Sequence, residues 1–136
     1  MQNHLAIFTR DALDQIFSGQ KSVESRFSKK RLAPFGQVNA GDKVFMKQSG
    51  KDICGQFTVK KVLSFDNLDK EDWQLIKVNF WPHISFGIEE LDKVFLKEHQ
   101  TAKFGTLIFI EQVEQLITSP FTYRKSDRRG WVVLGS

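Results

Sequence analysis

A glycine at position 19 joins two short segments of different periodicity, and this junction constrains the fold more than any other feature of the chain. Before it, Leu13, Ile16 and Phe17 form the apolar face of a short helix that Thr9 is placed to cap. After it, residues 22–27 alternate in the manner of a strand. The pattern predicts a helix that ends at the glycine and leads directly into a β-strand.

The predicted strand region carries three charged side chains. Alternation places Glu24 and Arg26 on one face, and Lys21 on the opposite face with Val23 and Ser25. Charged groups are costly to bury unless they are paired. We therefore expect the three charged residues to line a cleft or to form a paired network at its edge.

The remaining pattern predicts further strands and two later helices. A helix over 68–80 is expected to end at Pro82, and a second helix is expected over 88–99. Strands on both sides of these helices indicate an α+β fold with a small, mostly antiparallel barrel and helices packed outside. The strands are predicted at 4–8, 22–27, 44–46, 57–63, 103–116 and 131–134.

Four segments resemble one known family. Residues 19–26 read Gly-Gln-Lys-Ser-Val-Glu-Ser-Arg, which is similar to the Gly-x-Lys-(Ser/Thr)-x-Glu-x-Arg signature of the ASCH domain family, a branch of the PUA-like superfamily. Residues 40–44, 104–108 and 128–134 resemble further segments of that family. The resemblance implies a single PUA-like domain over 1–136, with a small β-barrel and RNA-directed biology.

The positive charge is concentrated in two segments. Residues 21–31 hold five basic residues and one acidic residue, a net charge of +4, and residues 122–131 hold four basic residues and one acidic residue, a net charge of +3. The whole chain carries +4, so the remainder carries −3. This distribution indicates a focused anionic partner. Phe27, Phe35 and Trp131 lie beside the two segments and could stack on bases, although Trp131 alternates with Val133 and is expected mainly in the core.

The composition excludes several classes of function. The single cysteine, Cys54, allows no intramolecular disulfide and fits a cytoplasmic, reducing compartment. No segment has the length or composition of a membrane span or a signal peptide. His4, His83 and His99 lack metal-ligand spacing, and no glycine-rich phosphate-binding pattern is present, so we predict neither a metal site nor a cofactor.

These observations together predict an RNA-binding module. Its expected ligand is RNA or a nucleotide, including one with a modified base. The RNA target and the oligomeric state are left open. The competing interpretations are structural: a solvated Lys21 behind a helix, a Glu24–Arg26 ion pair at the barrel mouth, and solvated loop lysines. The predicted binding residues are Lys21, Glu24, Arg26, Lys29, Lys30, Arg31, Arg124, Lys125, Arg128 and Arg129.

The alternative function is a small hydrolase. Some proteins that resemble ASCH domains are amidohydrolases acting on 4-acetylcytidine, and others are ribonucleases. The amidohydrolase resemblance implies a catalytic role for Lys21. That branch has threonines after its lysine, whereas this chain has Ser22 and Glu24, which departs from the pattern. Its further catalytic glutamate is not assigned among Glu71, Glu89 and Glu90. An interaction domain that uses its acidic helices is a third interpretation.

Overall fold

A computed structural model of the chain describes residues 1–84, 93, 96–97, 100–124 and 128–136. The described elements follow in the order β1-α1-β2-β3-β4-α2-α3-β5-β6. The strands are β1 (Asn3–Ile7), β2 (Val23–Ser28), β3 (Lys43–Lys47), β4 (Ile53–Asp66), β5 (Phe104–Gln115) and β6 (Trp131–Gly135). The helices are α1 (Arg10–Phe17), α2 (Lys70–Asn79) and α3 (Trp81–Ile84).

All six strands form one curled, half-barrel sheet in the order β2-β5-β4-β3-β1-β6. The β1–β3 pair is parallel, and the other four pairs are antiparallel. The prediction that the early strand and the two late strands share one sheet is therefore confirmed. So is the prediction of an α+β fold with a mostly antiparallel sheet.

The junction around residue 19 folds as its sequence predicts. The Thr9 side chain accepts a hydrogen bond of 3.2 Å from the Ala12 N–H and caps α1. Leu13 and Ile16 are fully buried on the apolar face of the helix. Gly19 follows with a φ of +82°, a left-handed conformation that glycine adopts without strain. The chain then turns directly into β2.

The core has an interior part and two outer parts. The interior cluster joins α1 to the concave face of the sheet, where Met46, Phe57 and Ile108 are fully buried. One outer cluster packs α2 against β2 and β5 around Leu107 and Ile76. The other lies under the segment after β5 and contains Leu5, Ile53 and Val132. Thus α2 covers the outside of the barrel, as expected, while α1 contributes to its interior.

The helix boundaries correct one prediction. Helix α2 begins with a reciprocal capping box between Asp69 and Asp72 and ends at Asn79. Pro82 does not end this helix. It lies in the first turn of α3, where the absence of its N–H removes no helical hydrogen bond.

The helix predicted over 88–99 falls largely outside the described residues. Within the described part of the chain, no helix has the length and apolar character required to span a bilayer.

Candidate nucleic-acid interface

Arg26 connects β2 to the far side of the sheet. Its Nη2 donates to the Ile7 carbonyl oxygen at 2.9 Å, and its Nη1 donates to the Gly130 carbonyl oxygen at 3.2 Å. The guanidinium carbon lies 5.0 Å from the Phe8 ring centroid and 5.3 Å from that of Trp131. Two backbone carbonyl oxygens and two aromatic rings thus stabilise the positive charge of this guanidinium group. We call this junction of β2 with Ile7 and Gly130 the seam.

Glu24 supports the same junction from β2. It is 7% exposed, and its Oε1 accepts from the Ser25 N–H at 3.0 Å and lies 3.7 Å from Arg26 Nε. Glu24 pairs with Ile108 in the sheet register, and Arg26 pairs with Thr106. The two charged side chains therefore share a face of β2, as alternation predicts. Their geometry matches the structural interpretation, in which an ion pair fixes the barrel mouth.

A pocket of about 170 Å³ opens at the seam, and we call it the seam pocket. The C-terminal half of β2 and the loop after it form one wall, and Gly130 and Trp131 form another. A Cβ at position 130 would lie 3.1 Å from Arg26 Nη1, so glycine allows the close approach. The pocket is lined by Arg26, Phe27, Ser28, Leu32, Ala33, Pro34, Phe35, Thr106, Gly130 and Trp131.

Two buried polar atoms of the seam pocket residues have incomplete hydrogen bonding. Thr106 is 1% exposed, and among the described residues its Oγ1 has no hydrogen-bond partner. Arg26 Nε likewise makes no hydrogen bond to the described residues. Buried polar groups are hydrogen-bonded in the great majority of native structures. Arg26 Nε faces the Glu24 carboxylate at 3.7 Å, so the Thr106 hydroxyl is the group of the two whose hydrogen-bonding capacity the described residues leave unused.

The first basic segment borders this pocket. Lys29 and Lys30 are exposed in the loop directly after Ser28. Arg31 is also exposed, forms an ion pair with Asp66, and lies over the Phe35 ring with its guanidinium carbon 5.3 Å from the centroid. Pairing with Asp66 leaves most of the Arg31 side chain in solvent, because both partners are more than half exposed.

The second basic segment divides between two places. Arg128 and Arg129 are exposed and immediately precede Gly130, which lines the seam pocket. Arg124 lines a different and larger cleft, described below. The prediction for Lys125 lies outside the described residues.

Lys21 is separated from the seam pocket. It precedes the N-terminal end of β2, whereas the pocket is built from the C-terminal half of that strand. Its backbone N–H donates to the Gln15 carbonyl oxygen at 3.0 Å, and the residue is 3% exposed. The structure therefore brings Arg26 and parts of both basic segments together, and it places Lys21 at the opposite end of the strand, buried rather than solvated.

A buried network behind the seam was not predicted from the sequence. The Trp131 indole Nε1–H donates to His4 Nδ1 at 3.1 Å, and His4 Nε2 lies 2.9 Å from Asp42 Oδ2. Indole nitrogen can only donate, so His4 Nδ1 accepts and His4 Nε2 carries the proton given to Asp42. Asp42 also accepts from the backbone N–H groups of Gln2 and Asn39, both at 2.9 Å. The network therefore joins β1, β6 and the start of β3.

The pKa of the Asp42 carboxyl reflects this network. Burial would raise its pKa, but the hydrogen bonds from Gln2, His4 and Asn39 outweigh burial and hold the pKa below its usual value. Asp42 is thus best described as a structural carboxylate. Within the described residues, no group of three or more histidine, cysteine or carboxylate side chains is placed to hold a metal ion.

Comparisons with known proteins support the fold. A scan against protein-family models and a search of curated proteins find no match. Among solved structures, the curled sheet is similar to that of ASCH from Zymomonas mobilis, with a TM-score of 0.61 and 10% identity over 84% of this chain and 70% of that chain. A variant of the same protein gives a TM-score of 0.66 at 10% identity and covers 98% of this chain and 88% of that one.

A further structure comes from Enterococcus faecalis V583 and is assigned to a domain family of unknown function. Its TM-score is 0.54 at 15% identity, and the match covers 90% of this chain and 87% of that chain. The six-stranded sheet with its helices defines an α+β protein of PUA-like architecture. More particularly, the Zymomonas matches show that the chain has an ASCH-like fold.

Proposed function

We propose that the protein binds RNA, with a base or nucleotide in the seam pocket and phosphates on the basic rim. The observation that carries this proposal is the convergence of two separate basic segments on one pocket. Lys29, Lys30 and Arg31 follow its β2 wall, while Arg128 and Arg129 precede its Gly130 wall. Cationic side chains around an opening attract a polyanion and release counterions when they bind it.

The pocket also offers chemistry that suits a base. The half-buried Phe27 and Phe35 supply aromatic rings in its lining, and single-stranded RNA is commonly recognised by stacking on such rings. Arg26 Nη1 and Nη2 each donate one hydrogen bond to a backbone carbonyl and each carry a second N–H that can donate to a ligand, and Thr106 Oγ1 can donate or accept. A ligand with a polar edge would bind both side chains. The proposed site is therefore Arg26 and Thr106 inside the pocket, with the five basic residues at its rim.

The salt dependence of RNA binding tests the proposal. Replacing Lys29, Lys30 and Arg31 by alanine should weaken binding to all single-stranded sequences and flatten the slope of log K against log salt by about 2, given about 0.7 per phosphate contact. Fluorescence anisotropy over a salt series provides the measurement.

A matched triple variant controls for net charge. Lys60, Lys70 and Lys77 are exposed on β4 and α2, away from the seam pocket, and their replacement by alanine removes the same charge. This control should keep the wild-type slope. Equal slopes for the wild type and the 29–31 variant, or equal losses in both variants, would contradict the proposal.

A second candidate is the hydrolase, and one observation favours it. Lys21 and Glu24 are 3% and 7% exposed, and strongly buried ionisable groups are more frequent at functional sites than elsewhere. If Lys21 is catalytic, purified wild type should release acetate from 4-acetylcytidine or fragments from RNA. Lys21→Ala should abolish this turnover with little change in substrate affinity, and Lys60→Ala, at an exposed position of β4, should retain it. A wild type that leaves both substrates unaltered eliminates this candidate.

We further propose that the protein acts in the cytoplasm, on the chemical ground that its single cysteine is unpaired and partly buried, as expected for a reducing compartment.

A further inference from the structure

Lys47 is a buried cation. It lies at the C-terminal end of β3 and is 7% exposed. Among the described residues, its Nζ makes one hydrogen bond, a long one of 3.4 Å to the Tyr123 carbonyl oxygen. An ammonium group has three donors and is costly to bury without an opposite charge. Arg26, in contrast, is only half-buried and contacts two carbonyls and two aromatic rings.

Lys47 lines a cleft of about 520 Å³ between the β3–β4 turn and residues 122–124. We call it the hairpin cleft. Its lining includes two further cations, Lys51 and Arg124, both of which are exposed, and one carboxylate, Asp52. Three positive charges and one negative charge leave the described lining with an excess of two positive charges. The buried Lys47 ammonium is thus flanked by the long side chains of Lys51 and Arg124, which can reach an anion bound in the cleft.

The hairpin cleft lies at the same end of the barrel as the seam. Ile7 lines the cleft, and its carbonyl oxygen is the acceptor for Arg26 Nη2. The Ile7 N–H donates to the Gly130 carbonyl oxygen at 2.9 Å. Ile7 therefore connects the hairpin cleft to the residues of the seam pocket. The chain also connects them, because Arg124 of the cleft is six positions before Gly130 of the seam pocket.

We propose that the hairpin cleft binds a phosphate group, with Lys47 as its buried anchor and Lys51 and Arg124 as its outer ligands. A phosphate carries up to two negative charges and several acceptor oxygens, which matches the excess of two positive charges and the number of available donors. A neutral ligand would not balance the excess positive charge of the described lining. The phosphate can be free or can belong to the end of a nucleotide chain, since both present the same group.

Titration with inorganic phosphate at constant ionic strength tests the site. Wild type should show saturable binding by calorimetry or by shifts of cleft amide signals in NMR spectra. Lys47→Met removes the charge and keeps an unbranched side chain, and it should weaken phosphate binding roughly tenfold or more. Lys60→Met, at an exposed position of β4 outside the cleft, removes the same charge and should leave binding unchanged.

Three results would overturn the proposal: no saturable phosphate binding by wild type, equal binding by Lys47→Met, or an equal loss in Lys60→Met. Thermal unfolding without phosphate verifies that Lys47→Met is folded, and we expect it to be at least as stable as wild type because a poorly paired buried charge is removed. Should that variant fail to fold, the exposed pair Lys51→Gln and Arg124→Gln, made together, tests the same loss.

Competition distinguishes the two sources of the phosphate. An oligoribonucleotide with a 5′-phosphate should displace inorganic phosphate more strongly than the same oligonucleotide without it if the group belongs to a nucleotide chain. Equal, weak displacement by both identifies free phosphate. The Lys29, Lys30 and Arg31 alanine variant should bind inorganic phosphate as wild type does, so this site can fail or hold separately from RNA binding at the seam.

Discussion

Trp131 belongs to two buried polar regions that differ in how completely their hydrogen bonds are made. Its indole N–H enters the network with His4 and Asp42, where the nitrogens of the imidazole and both carboxylate oxygens have partners. Its ring lies beside Arg26 in the seam, where Arg26 Nε and Thr106 Oγ1 make no hydrogen bond to the described residues. Thr106 is as deeply buried as His4 and Asp42, but its hydroxyl, unlike their polar atoms, has no hydrogen-bond partner among the described residues.

The difference distinguishes polar groups that stabilise the fold from polar groups that are available to a ligand. A saturated network stabilises one arrangement of strands, and the loss of a member leaves its partners buried and unpaired. A polar atom without a hydrogen-bond partner in the protein does not stabilise the fold in this way, and it can still form a hydrogen bond with a ligand. Substitutions in the network should therefore act on folding, and substitutions in the seam should act on binding.

The largest effect is expected in the saturated network. Asp42→Ala removes the acceptor for His4 and for two backbone N–H groups and should lower the free energy of unfolding by about 3 kcal/mol or more. Denaturant unfolding monitored by tryptophan fluorescence measures this. Asp52→Ala, at an exposed aspartate, should stay within about 0.5 kcal/mol of wild type. A small effect of Asp42→Ala would show that the network is not a stabilising element.

The second effect is a pH dependence from the same carboxyl. The pKa of Asp42 is lowered in the folded protein from its ordinary value of 3.8. Its contribution to stability is therefore fully present above that value and is lost as the pH falls through the folded-state pKa. Unfolding free energies measured between about pH 5 and pH 2 should fall more steeply for wild type than for Asp42→Asn. Parallel curves would contradict this assignment.

The smallest effect on stability is expected in the seam. Thr106→Val replaces an unpaired buried hydroxyl by a methyl group of similar shape and should change the free energy of unfolding by less than about 1 kcal/mol. The same change should weaken RNA binding roughly three- to tenfold, since a hydrogen bond to the ligand is lost. Unaltered affinity in anisotropy titrations would remove Thr106 from the binding site, and a large loss of stability would erase the contrast with Asp42.

Local signals predicted much of the fold correctly. The Thr9 cap, the apolar face of α1 and the glycine after it are encoded within eleven consecutive residues, so their interpretation needs no tertiary information. The apolar centre of β5 likewise predicted a strand over 103–116, and the structure has Phe104–Gln115. β4 continues to Asp66, past the expected end at 63, because pairing with β5 extends the strand through polar positions.

The site was less predictable because its contacts join distant positions. The sequence shows His4 as an isolated histidine, since its partners are 38 and 127 positions away. Lys47 was not selected either, because a lysine at a strand end is usually solvated. An apolar run of three residues before it was the available signal. The pattern of residues 19–26 did identify the strand that carries Glu24 and Arg26, but alternation alone cannot show that Gly130 is within reach of the arginine.

The placement of β1 between β3 and β6 has a consequence for folding speed. β1 can pair with β3 once the first third of the chain has formed, but its other neighbour follows more than a hundred positions later. On the ribosome, the backbone groups of β1 that face β6 must wait until Trp131–Gly135 has emerged. Closing so long a loop is entropically slow, and folds that depend on such distant pairings generally fold slowly. A nascent chain of this protein therefore exposes an unpaired strand edge for most of its synthesis, which is the period when chaperones have access to it.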